Sequence, residues 1–174
     1  MTLAALYLTV LRIIHIFAAV AWIGGSIFLV SILSPTVRDA GPDGGRFMLQ
    51  LAKYGRMARI LTGAAVTTVV AGILLFWPTT HGLDQSILKT PYGITLSIGA
   101  VFGILAMLHG AFATGPISGK MGALAKDILG RQGPPPPELM KEAQALGAKL
   151  GTNSIISLAL GAIALLCMAA AQTI

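Results

Sequence analysis

Four stretches of this chain, residues 3–33, 58–77, 92–115 and 152–172, are nearly free of charge and long enough to cross a lipid bilayer. Hydrocarbon offers no partner to a backbone N–H or C=O, so a spanning segment must satisfy its own, and an α-helix does so within one segment. The pattern therefore predicts an all-α fold, a transmembrane four-helix bundle built as a single integral membrane domain over residues 1–174. Composition agrees: only 10% of residues are charged, against about 25% in soluble domains, which leaves little room for a separate soluble unit. The first run outlasts a signal-peptide core and has no convincing small-residue cleavage site, so it reads as a retained helix. Ser34-Pro35, Pro78 and Gly115-Pro116 are the expected ends of the first three spans, because proline cannot continue the helical bonding.

Charge placement orients the bundle. Arg38, Arg46, Lys53, Arg56 and Arg59 lie around the first connection, and Lys120, Lys126, Arg131, Lys141 and Lys149 lie between spans three and four. Only Lys89 falls in the remaining loop, and Arg12 sits inside span one. The positive-inside rule then predicts both termini outside and both long connections in the cytoplasm, with the protein multi-pass in the cell's inner, cytoplasmic membrane. The net charge of +6 is read as this topological excess and not as a nucleic-acid surface. The connections themselves look helical. Asp43 is placed to cap a helix near Gly44 that continues into span two, with Arg46, Lys53 and Arg56 on one face. Residues 134–137 form a stiff proline run, after which 138–150 feed span four. The fold expectation is thus N-out and C-out, with cytoplasmic helical extensions of spans two and four. The basic faces suit anionic headgroups, or a docking partner. The order of span, proline, basic segment, break and long helix recurs in the two halves as a weak parallel repeat.

The anomaly in this apolar chain is Arg12-Ile-Ile-His15-Ile-Phe-Ala18-Ala19-Val-Ala-Trp22-Ile-Gly24-Gly25. Ionisable groups at the bilayer centre cost roughly 2.5–3.5 kcal/mol or more and are kept mainly where they act. His15 has Ala18, Ala19 and Trp22 on its helical face, and His109 in span three has Ala106 and Ala113. Small residues beside an imidazole leave room for a flat porphyrin, although they also mark ordinary helix packing. Imidazole ligates haem iron, copper and zinc, and a bundle can present such ligands from facing helices. Counted from Pro35 and Pro116, the depths of His15 and His109 differ by roughly 20 Å at 1.5 Å per residue, which disfavours one haem clamped between them. His81 lies in the outer loop. Arg12 suits a haem propionate, or it snorkels to the outer headgroups. Cys167 and Met168 are soft donors that suit Cu(I), but Met-x-x-Met and His-x-His clusters are absent, and a packed Cys167 is the simpler reading. The single cysteine excludes an internal disulfide and a CxxC site. All six carboxylates (Asp39, Asp43, Asp84, Asp127, Glu138 and Glu142) lie outside the spans, so a carboxylate relay through the membrane has no side chains to run on.

The first-helix pattern Arg12-x-x-His15-x-x-Ala18-Ala19-x-x-Trp22-x-Gly24-Gly25 resembles that of the copper-resistance-D-like membrane proteins. It also resembles the first helix of the haem-dependent protoporphyrinogen oxidase family of four-helix membrane proteins. The second resemblance implies that His15 ligates haem b. After span one the chain departs from that family, carrying Ser34-Pro35-Thr-Val-Arg38 where a His- and Arg-rich segment is expected. The first resemblance implies copper uptake or tolerance, without that group's additional helices. The expected function is a small membrane protein binding b-type haem for electron transfer. His15 and then His109 are its iron ligands, His81 is a further candidate, Arg12 balances a propionate, and Trp22 lies on the cofactor. Its partners would be the bilayer and a redox protein or the subunits of a membrane complex, with a homo-oligomer compatible. The alternatives are a copper-handling protein using His15, His81, Cys167 and Met168, and a cofactor-free membrane scaffold.

Overall fold

A computed structural model describes residues 2–174, and every regular element in them is helical. Helix α1 runs Leu3–Asp39, α2 Gly41–Tyr54, α3 Arg56–Thr79, α4 Gln85–Leu88, α5 Pro91–Gly130 and α6 Pro137–Thr173. Helices α1, α3, α5 and α6 are each long and apolar enough to cross a membrane, with mean hydropathies of 1.9 to 2.3. No more than 17% of any of these apolar stretches is buried inside the protein. Phe17 and Phe112 are 73% and 78% exposed. Each such side chain left in water would forgo about 1.5–3 kcal/mol of burial, so this surface is made for lipid and the chain is a multi-pass membrane protein. Both chain ends and the turn between α3 and α5 share one end of the bundle, the terminal end below; α2 and most of the Lys and Arg residues lie at the other, the basic end.

The prolines do not stop the helices as expected. Helix α1 passes Pro35 and ends at Asp39, and α5 passes Pro116 and ends at Gly130. In both, a wider π turn comes just before: Phe28–Leu33 ahead of Pro35, and Gly110–Thr114 ahead of Pro116. Each proline then begins a fresh α segment, where its missing N–H is not needed. Carbonyls in the irregular turns find side-chain donors. Ser34 Oγ donates to Leu29 O at 2.7 Å, Thr36 Oγ1 to Ile32 O at 2.7 Å, and Asn153 Nδ2 of α6 to Ala113 O at 3.3 Å. Pro78 does lie at the end of its helix, one residue before Thr79. A third π turn, Val20–Gly24, interrupts α1 at Trp22.

The segment before span two is also corrected. It is a separate helix and not an extension of α3, because Gly55 adopts the left-handed conformation at φ 58° and turns the chain between α2 and α3. Arg46 and Lys53 therefore share a helix without Arg56. Asp43 does not cap α2; it lies in the first turn of a helix beginning at Gly41, where its charge favours the N-terminal amides. Helix α6 runs unbroken from Pro137, and α5 carries an equally long extension that the proline reading excluded. At the basic end Leu49 of α2, Leu124, Ala125 and Ile128 of α5, and Ala143 of α6 form a second apolar core.

Within the spanning region α1 packs on α3, and α5 packs on α6, as two hairpins. Lipid exerts no hydrophobic drive between helices, so close fit at small residues has to hold them. A Cβ on Gly99 would lie 3.0 Å from Cys167 Cβ and 3.2 Å from Met168 Cε, which makes Gly99 the seat of the α5–α6 contact. Gly161 of α6 faces Ile23 of α1, and Gly25 of α1 faces Leu61 of α3. The central core joins Trp22 and Ile23 to Ala65 and Val69 of α3 and Ala106 of α5.

Adjacent glycines at the start of α2 test the α1–α2 elbow. A Cβ on Gly44 would meet the backbone carbonyl of Val37, whereas one on Gly45 would meet open space. The G44A substitution should lower the thermal midpoint of the purified protein, at a cost of about 1–3 kcal/mol. G45A should leave it unchanged or raise it, since alanine is the better helix former by about 1 kcal/mol. Equal midpoints for the two variants would contradict the elbow.

Candidate cofactor site

His15 lies on the inward face of α1, in line with Leu11 and Trp22. Its Nδ1 is 2.8 Å from the backbone carbonyl of Thr68, in the middle of α3. A carbonyl oxygen can only accept, so Nδ1 carries the proton and the lone pair of the neutral ring is on Nε2. The ring also lies against Gly72, one turn further along α3. A Cβ there would come within 3.0 Å of His15 Cε1 and 3.2 Å of Nδ1, so glycine is what admits the imidazole. Thr68 is buried, and its hydroxyl donates to Ala64 O at 2.8 Å. Among the described residues Nε2 has no hydrogen-bonding partner, and it is not fully buried.

The segment Leu3–Ala19 packs chiefly on α3, and the main contacts of α1 with α6 come from Val20 onward. Arg12 is exposed one turn nearer the terminal end and forms no ion pair among the described residues. Trp22 is buried in the central core, seven residues from His15.

His109 is held differently. Its Nδ1 is 2.9 Å from Ser157 Oγ of α6, and a hydroxyl both donates and accepts, so this bond leaves the tautomer free. Trp22 and Ala106 share the central core layer. His15 is seven residues above it and His109 three residues below it, about 10 Å and 5 Å along the helices. The two imidazoles therefore belong to different hairpins and different levels. His81 is exposed in the turn after α3, at φ 51°, close to Asp84. Asp84 caps α4: the Ser86 backbone N–H, at 2.8 Å, and then the Ser86 hydroxyl hold its carboxyl below the ordinary value, with His81 nearby adding to the effect. Cys167 and Met168 pack on Gly99 within the other hairpin. Among the described residues no three His, Cys, Asp or Glu side chains come together as a metal-holding group.

The sequence reading identified His15 but missed Thr68, Gly72 and Ser157. Thr68 followed four residues later by Gly72 was the available signal, a buried hydroxyl and a gap on one face of an otherwise apolar helix. Comparison with protein-family models, with curated proteins and with solved structures found no match.

The tautomer is directly observable. In protein labelled with ¹⁵N-histidine and purified with a chelator at pH 8, the signal absent from H15A should report a protonated Nδ1 and a pyridine-type Nε2. A protonated Nε2 in that signal would exclude the His15–Thr68 bond.

Proposed function

We propose that this is a small b-type haem protein of the inner membrane, with its termini outside and its basic end in the cytoplasm, that passes electrons and uses His15 as an axial ligand. The observation that carries the reading is the 2.8 Å bond from His15 Nδ1 to the Thr68 carbonyl, with Nε2 left open. A metal-ligating histidine commonly donates its other ring N–H in this way, which orients the ring and raises the basicity of the ligating nitrogen. The residues present suit one haem held through one histidine. His15 offers the lone pair, Gly72 leaves space for the imidazole, Trp22 lies two turns further along the same face of α1, and the unpaired Arg12 can balance a propionate. Haem supplies a one-electron iron couple when bound. Electron passage needs no ionisable side chains along the spans, which fits a chain whose carboxylates all lie outside them. His109 is the candidate ligand of a separate, inner site. A redox protein or subunits of a membrane complex would exchange electrons with it. The copper reading is less favoured, because Cys167 and Met168 are engaged at Gly99 and not gathered with the histidines.

Visible spectra of the purified protein, oxidised and reduced, test this. A Soret band with reduced α and β bands is expected. H15A should lower the haem content at least tenfold at equal yield of folded protein, while H109A keeps that haem. Full haem with an unchanged spectrum in H15A would remove the ligand assignment. Absence of the Soret band in protein supplied with haem would favour copper if elemental analysis finds it, and a cofactor-free scaffold if it does not.

A further inference from the structure

At the basic end, the elbow between α2 and α3 faces the extension of α5 across an open groove of about 470 Å³. Lys53 and Arg59 line one wall and Lys126 the other, with Tyr54, Thr62 and Ser118 between them. No carboxylate lines this groove. The ion pairs among the described residues are Arg38–Asp39 and Arg131–Asp127, so the three cations are not neutralised by the protein. The ring of Tyr54 lies 5.8 Å from Lys53 Nζ and 5.5 Å from the Arg56 guanidinium, which keeps a fourth cation at the elbow. Gly55 has no side chain to cap α3, so the first amides of that helix add positive potential beside the cations. Like charges lining one groove without a counter-charge raise its positive potential and favour an anion there.

We propose that this groove binds the headgroup phosphate of an anionic phospholipid. The inference rests on the membrane-spanning fold and is independent of the haem proposal. A lipid is favoured over a free anion by what adjoins the cations. Ile60, next to Arg59, is 62% exposed, and α3 continues from there as an apolar, outward-facing surface along which acyl chains can lie. The groove is thus charged where a headgroup would be and apolar where its chains would run. Its recognition is local, unlike the general attraction of basic loops to a negative leaflet, which falls off over a Debye length and depends on total charge.

The test uses the full-length protein, delipidated in a neutral detergent, titrated with dioctanoyl phosphatidylglycerol while its thermal midpoint is followed. A saturable rise is expected, with no comparable rise from dioctanoyl phosphatidylcholine or from inorganic phosphate at the same concentrations. The K53Q/R59Q/K126Q variant should need at least tenfold more phosphatidylglycerol for half the effect. The R46Q/K120Q/K141Q variant, with the same net charge and its changes outside the groove, should stay within twofold of the parent. Equal weakening of the two triple variants would reduce the effect to diffuse charge and overturn the proposal. Equal stabilisation by phosphatidylcholine, or by phosphate alone, would also overturn it. If the groove variant does not melt cooperatively, K126Q decides, since Lys126 is exposed and its replacement leaves the core intact. A threefold or greater weakening supports the groove, and a smaller one overturns it.

Discussion

The governing constraint on this fold is that hydrocarbon cannot hydrogen-bond to a peptide group. Helices are the first response to it, and the treatment of irregular backbone is the second. Hydroxyl side chains along the spans turn back to carbonyls of their own helix: Thr9 to Ala5, Ser26 to Trp22, Thr68 to Ala64 and Ser97 to Gly93. Where proline removes a donor, Ser34 and Thr36 serve carbonyls of the turn before it. The same accounting extends between helices, where Asn153 reaches Ala113 and His15 reaches Thr68. Interhelical bonds of this kind contribute roughly 0.6–2 kcal/mol in membranes, enough to register one helix on another.

The four spans were legible because length and hydropathy are properties of each segment alone. What proline would do was not, because its effect depends on the turn before it. Interior proline ordinarily kinks or breaks a helix, whereas Pro35 and Pro116 each follow a π turn and begin a new α segment of the same long helix. That difference moved the end of the first helix from Leu33 to Asp39 and gave α5 an extension to Gly130. Gly55 shows the converse. Its left-handed turn divides a stretch whose helical pattern looked continuous, because periodicity carries no record of one dihedral angle. Arg46, Lys53 and Arg56, one face on paper, consequently separate, and Lys53 joins Arg59 and Lys126 instead.

The histidines illustrate a different limit. Sequence context treats His15 and His109 almost alike, each with small residues on its face. Their partners distinguish them, and those partners lie on helices distant in sequence: a backbone carbonyl for one and a side-chain hydroxyl for the other. The main-chain acceptor could not be read from residue types at all, since every residue has one. Only the threonine hydroxyl in an apolar helix and the glycine that makes room for the ring leave a trace in the sequence.

The bond to Thr68 also bears on protons. A carbonyl has none to give, so the Nδ1 side of His15 has no donor from which to be replenished. An imidazole that relays protons takes one at one nitrogen and releases one at the other. His15, closed on one side by the helix beside it, can exchange only through Nε2. For proton traffic along the membrane normal it is a terminus and not a conduit, and any proton crossing the bilayer at this level would have to move without that ring as its intermediary.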